Sequence, residues 1–181
     1  MNISIKIKKV GNLSEQEIEF MNSARIAEYG DGAAIDFKKE DKKGIFFFVN
    51  DSNETKAFGM LKPVSIEHKD QIYHILAMGR GMAIIKGKGY GRVLNEARVK
   101  YATEKRKTLL AFTSRENKVF FEKVGFKVEK QLINKFRYKN PKTGEIIIDE
   151  DGDGVYYEGK DKIITKIINS SEIAYISVPF W

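Results

Sequence analysis

Residues Lys86–Leu94 read KGKGYGRVL, with three glycines at alternate positions, two lysines among them and an arginine directly after. What stands on either side gives the stretch its meaning. Before it, QIYHILAMGRGMAII is an apolar β-type run interrupted by Gly79 and Gly81, the mark of a bulge or of close backbone approach. After it, RVLNEARVKYATEKRK places Val93, Leu94, Ala97, Tyr101 and Ala102 on one helical face. A glycine turn between strand and helix suits phosphate. The first amides of a helix lack internal partners and carry partial positive charge, and glycine lets a ligand come close.

The elements outside this unit alternate in type. ISIKIKKV reads as a first strand, and SEQEIEFMNSARIAEYG as a helix with Ser14 and Glu17 in a capping-box pattern and Gly30 as its stop. Ile18, Met21, Ala24, Arg25 and Ala27 give that helix a mostly apolar stripe. GIFFFVND and TKAFGMLKPVSI are strands separated by the turn-like NDSNE. Beyond the second helix, TLLAFTS is an apolar strand and ENKVFFEKVG a short amphipathic helix ending at glycine. FKVEKQLINKFRY and EIIID, joined across KNPKTG, read as a hairpin, and GVYYEG, KIITKII and EIAYISVPF as further short strands. The expected fold class is therefore α/β around one mixed sheet. A single domain over 1–181 is expected, since neither a linker nor an internal repeat interrupts it.

Composition narrows the chemistry. The 181 residues carry a net charge of +7, and Lys86–Lys107 alone has eight Lys/Arg against Glu96 and Glu104, whereas the tail from Lys139 is acidic. The basic segment suits an anionic ligand, either a phosphorylated cofactor or nucleic acid. Zero cysteines exclude disulfides, thiolate metal sites and a cysteine nucleophile. No apolar window is long enough to span a bilayer and no export signal is evident, so no membrane partner and a cytoplasmic location are expected. Asp149–Lys160, DEDGDGVYYEGK, begins like a calcium loop but has Lys160 where the bidentate glutamate belongs. It reads instead as a solvated acidic turn, and no metal site is assigned.

Three phosphate-loop patterns compete for Lys86–Arg92. No glycine is followed by Lys-Ser or Lys-Thr, which excludes a Walker loop, and G-x-G-x-G is not the dinucleotide pattern G-x-G-x-x-G. Lys86-Gly87-Lys88-Gly89-Tyr90-Gly91 resembles the pyrophosphate loop of the GNAT superfamily of acyl-CoA N-acyltransferases, Q/R-x-x-G-x-G/A, with lysine leading. About thirty residues on, FFEKVGFKV resembles that family's second signature, an aromatic-E-K-x-G-F segment closing a short helix. The element order to about Tyr138 follows the family as well.

The resemblance implies a mixed, strongly twisted sheet with a bulged strand, helices on both faces, a family-like core of about 1–138 and a C-terminal β extension, 139–181. It implies acetyl-CoA as co-substrate and transfer of its acetyl group to a primary amine of an unidentified acceptor. The implied pyrophosphate loop is Lys86, Gly87, Lys88, Gly89, Tyr90, Gly91 and Arg92. The implied pantetheine contacts lie at Gly79, Arg80 and Gly81, shifted to Met82 and Ala83 in an alternative register. Ser114 by spacing, Asn117 by residue type, and Phe121 complete the cofactor set. Phe121 stands where the family often has an acidic tyrosine, so the acid is open between Tyr138, Tyr90 and none. His74 is the candidate base, with Glu67 and His68 as alternatives. Acceptor pockets fall to variable segments, here YGDGAAIDFKKEDKKG and the tail. A monomer or homodimer is expected, with SVPFW docked on the body or at a self-association surface. A non-catalytic CoA-binding module and a basic nucleic-acid-binding protein are the rival readings.

Overall fold

The structure is a computed structural model that describes residues 2–140, 142–149 and 152–179. In chain order the elements are β1 (Ile3–Lys9), α1 (Glu15–Tyr29), α2 (Phe37–Glu40), β2 (Ile45–Asp51), β3 (Glu54–His68), β4 (Gln71–Ala83), α3 (Tyr90–Glu104), β5 (Leu109–Thr113), α4 (Lys118–Lys123), β6 (Lys127–Glu129), β7 (Phe136–Lys139), β8 (Ile146–Ile147), β9 (Asp153–Tyr157), α5 (Ile163–Ile168) and β10 (Ala174–Ile176). The chain divides into two compact units. One holds residues up to Lys62 with Arg80–Ala97; the other holds Pro63–Gly79 with the chain from Arg98 onward. The boundary thus falls inside β3, β4 and α3.

In the first unit β1 runs antiparallel to β2, and β2 antiparallel to the start of β3, with a register shift between Val49 and Asn50. Ser52 and Asn53 both have positive φ, as a two-residue turn matched to strand twist requires. The IFFFV run is continuous rather than alternating because β2 is buried on both faces, with Phe46 and Phe48 on one and Phe47 and Val49 on the other. Phe37, Phe46, Phe48 and Phe58 are at most 2% exposed, and burying each fully contributes roughly 1.5–3 kcal/mol. Phe37 meets Phe46 edge to face at 5.3 Å. Helix α1 starts at the expected capping box: Glu17 N donates to Ser14 Oγ (3.2 Å) and Ser14 N to Glu17 Oε2 (2.9 Å). The run expected as loop before β2 contains α2, capped by Asp36, whose side chain accepts from Lys39 N.

The second unit carries parallel and antiparallel ladders. Strand β5 lies parallel to β4 (Leu76 opposite Leu109) and antiparallel to β9 (Ala111 opposite Val155), and β9 is antiparallel to β6. Strand β10 pairs antiparallel with the end of β3 and parallel with β7, which forms the expected hairpin with β8. The segment read as an extension therefore supplies an interior strand, since β9 sits between β5 and β6.

Two expectations are corrected here. KIITKII is a helix, α5, not a strand. Ile163, Ile164 and Ile167 are all buried, a helical stripe, whereas alternation would have buried Thr165 with Ile163 and Ile167. Isoleucine's preference for strands yields to that packing. FKVEKQLINKFRY is not one strand either. Gln131 is left-handed (φ 50°) and a 3-10 turn over Leu132–Lys135 separates β6 from β7. That turn drives Leu132 into the core, against Gly154, where an added Cβ would lie 2.3 Å from Leu132 Cδ2. Helix α3 ends at Glu104, so the basic residues 105–107 lie just past it. Glu150, Asp151, Phe180 and Trp181 fall outside the described residues, and with them parts of the acidic turn and of SVPFW. Asp153, from the same turn, has an internal role, accepting from Gln131 N at 2.9 Å.

Candidate functional site

In the first unit the loop from Ile84 to Gly89 joins β4 to α3. Gly87 (φ 78°) and Gly89 (φ 83°) are left-handed, and a Cβ on either would meet nothing within 4 Å. Glycine is therefore needed here for backbone conformation, and the space over the loop is open. Val93 N is the first amide of α3 with a carbonyl partner, donating to Gly89 O at 3.1 Å. The amides of Tyr90, Gly91 and Arg92 are first-turn donors with no intrahelical acceptor, at the positive end of a helix of 15 residues.

The loop is tied from two sides. Tyr90 donates its phenol to Asp51 Oδ2 at 2.8 Å, a buried bond that holds the Asp51 carboxyl below its ordinary range and pushes the Tyr90 phenol above its own. Lys86 pairs with Glu28 on α1, and that hydrogen bond raises the lysine. Arg92 pairs with Glu96 one turn on, at 2.7 Å. Lys88 has no ion-pair partner among the described residues. It lines a cleft of about 440 Å³ together with Lys56, Ile85 and the Asp51–Tyr90 pair.

Upstream, the irregularity expected at Gly79–Gly81 falls on Arg80, whose φ of 53° is left-handed within a strand. From this kink Arg80 donates Nε to Asp41 Oδ2 and Nη2 to Glu40 Oε2, each at 3.2 Å. Asp41 is wholly buried, and its other oxygen accepts from Lys62 at 3.0 Å. Met82 is buried in the core of this unit, which leaves its backbone, not its side chain, for any ligand. Sequence reasoning missed the Asp41 cluster. Asp41 lies in the charged run KKEDKK, where nothing distinguishes it from its neighbours until the α2 turn buries it.

In the second unit Arg98, on α3, donates to Gly79 O at 2.8 Å, and burial pulls its guanidinium down to about 9. It remains charged at neutral pH. Ser114 and Asn117 are brought together at the end of β5, where Asn117 Nδ2 donates to Thr113 Oγ1 (2.9 Å) and Ser114 Oγ (3.3 Å). Phe121 packs edge to face on Phe120 and Phe126 at 5.2 and 5.7 Å. Gly125 ends α4 with φ 91°, as the second motif requires.

His74 is exposed on β4, its Nδ1 3.0 Å from Ser65 Oγ, while its neighbour Ile75 is buried. His68 is 3% exposed, and burial, aided by Lys69, lowers it below the usual imidazole range. Its Nε2 has no partner among the described residues. Tyr138 is buried in β7, and Tyr90 is committed to Asp51.

No family model and no curated protein matches the sequence. Solved structures do match. The chain is similar to Escherichia coli ElaA, with a TM-score of 0.57 at 14% identity over 86% of this chain and 99% of that one. It is similar to an acyl-CoA N-acyltransferase from Pseudomonas aeruginosa, with a TM-score of 0.55 at 12% identity over 86% and 99%. It is also similar to the N-acetyltransferase PseH of Campylobacter jejuni, with a TM-score of 0.53 at 20% identity over 85% and 97%. The fold is that of the GNAT acyl-CoA N-acyltransferases. Among the described residues no helix is long and apolar enough to cross a membrane.

Proposed function

We propose that the chain transfers an acetyl group from acetyl-CoA to a primary amine. The observation that carries this reading is the turn at 86–92, with two left-handed glycines, unoccupied space above them and free amides opening a helix. Its chemistry matches a pyrophosphate, and the structural neighbours named as acyl-CoA and N-acetyl transferases support CoA as the carrier. The backbone at 79–82, distorted at Arg80, is assigned to the pantetheine arm. Ser114, Asn117 and Phe121 are assigned as separate cofactor contacts in the second unit.

The amine attacks the thioester carbonyl as a neutral nucleophile. The carbon–sulfur bond breaks, and the proton lost by nitrogen goes to a base or through water. His74 is the base assigned here, being exposed and held by Ser65. No acid is assigned. Phe121 has no proton to give, Tyr90 is bound to Asp51, and a thiol titrating near ~8.5 leaves adequately as thiolate.

Calorimetry with acetyl-CoA tests the cofactor half: saturable binding is expected, and none at high micromolar cofactor overturns it. Thiol release across amino acids, polyamines, peptides and aminoacyl-tRNA tests catalysis. Binding without release would favour the non-catalytic module that Phe121 suggests.

A further inference from the structure

The charges around the Arg80 kink do not balance. Within the first unit Arg25, Lys62 and Arg80 share the carboxylates of Glu40 and Asp41. Both oxygens of Asp41 are taken, by Lys62 and Arg80, and Glu40 is engaged by Arg80. Arg25, on α1, is left over. Its Nε donates to Ala33 O at 2.9 Å and its guanidinium lies 5.6 Å from the Tyr29 ring centroid. No carboxylate among the described residues pairs with it, and its two Nη groups have no acceptor there. Burial, followed by repulsion from Arg80, lowers it, against weaker attraction from Tyr29, Glu40 and Asp41, neither carboxylate pairing with it directly.

A half-buried guanidinium held at Nε and stacked on an aromatic ring has its fork fixed in direction. That fork matches a carboxylate or phosphate through two parallel hydrogen bonds. The cofactor's own phosphates are not its ligand under the reading above. Arg80 precedes Lys86 by six residues, of which Gly81–Ala83 continue the strand and Ile84–Ile85 bend, so at ~3.3 Å per residue the two lie at most roughly 20 Å apart, within the reach of one extended ligand arm. With pyrophosphate on the loop, the thioester lies by the kink, and what comes up beside Arg25 is the acceptor.

We propose that the acceptor amine carries an oxyanion, carboxylate or phosphate, which the fork of Arg25 receives beside the Arg80–Glu40–Asp41 cluster. This rests on the acetyltransferase reading for its link to catalysis, but the anion site is measurable alone. Arg25 acts as a specificity residue.

Matched amines test it by thiol release: L-lysine against cadaverine, and phosphoethanolamine against ethanolamine. The anionic member of at least one pair is expected to have at least ~10-fold higher kcat/KM, because a site built to bind a group rejects its absence. Which pair responds separates carboxylate from phosphate. Arg25→Gln is expected to collapse that ratio toward one, and Arg25→Lys to restore part of it, a charge without the fork. A second measurement needs no turnover. Succinate and inorganic phosphate are titrated calorimetrically into wild type and Arg25→Gln, with and without CoA, and saturable binding lost in the variant is expected. Neutral amines used equally well, a ratio unchanged in Arg25→Gln, or silence in both arms overturns the proposal. Missing acetyl-CoA binding with Arg25-dependent succinate or phosphate binding would instead sink only the acetyltransferase reading.

Discussion

Replacing Gly89 by aspartate and, separately, by asparagine isolates what the glycine loop holds. Gly89 has φ 83°, and a Cβ there meets no atom within 4 Å, so either side chain fits without displacing a neighbour. Asn and Asp both tolerate left-handed backbone better than other residues, and the conformational cost, on the order of 1 kcal/mol, is common to both variants. Charge alone separates them. A carboxylate about 5 Å from a phosphate charge is repelled by roughly 1 kcal/mol in bulk-water dielectric and by about 3 kcal/mol at an effective dielectric of 20. Two phosphate charges double this to ~2–6 kcal/mol, a loss of about 30-fold or more in affinity. Calorimetry with acetyl-CoA reads the difference. Gly89→Asn is expected within about tenfold of wild type, Gly89→Asp at least ~30-fold weaker than Gly89→Asn, and the gap narrows at high salt. Equal affinities for the two variants would refute an anion at this turn.

Gly154→Ala puts a methyl 2.3 Å from Leu132 Cδ2 in a closed core, and is expected to cost ~1–3 kcal/mol and lower Tm by roughly 2–10 °C in a calorimetric scan. Glu17 lies at about 2: burial pushes it up, but the Lys8 hydrogen bond, the Ser14 amide and Lys6 outweigh that. Because its folded value is depressed, its contribution is present above the unfolded value of about 4.5 and is lost as pH falls toward 2. Glu17→Gln is expected to cost about 1 kcal/mol at pH 7 after solvent screening and only a small fraction of that at pH 2, as read by urea unfolding at both. His74→Ala is expected to lower kcat by ~100-fold or more in thiol release, and a change below about threefold would remove His74 as base.

The elements that sequence reading placed well are those whose signals are local. Ser14 and Glu17 lie three residues apart and form their box, and Gly125 stops α4 through a backbone angle other residues resist. The loop at 86–92 was legible because φ and a helix start are themselves local properties. What was not legible depends on distant partners. The helical stripe of α5 emerges only when Ile163, Ile164 and Ile167 find a core. Asp41 becomes a buried ion-pair centre only when Lys62 and Arg80, distant in sequence, converge on it. Arg25 looked like one member of an apolar stripe because its guanidinium's setting is made by Ala33, Tyr29 and Arg80.

The position of β9 bears on how the chain reaches this structure. Strands β5 and β6 are separated in the ladder by a strand made some 25 residues after β6 and 40 after β5. During synthesis both must wait with bare edges until residues 153–157 emerge, since β9 supplies the Leu109–Tyr157 and Val128–Val155 pairings. Such long-range closure slows assembly and leaves apolar strand edges transiently open to other chains. A nascent chain stopped near residue 138 would carry the glycine loop and both signature motifs, yet lack the strand that joins β5 to β6. The motifs that advertise the chemistry are complete well before the polypeptide can stably hold them in place.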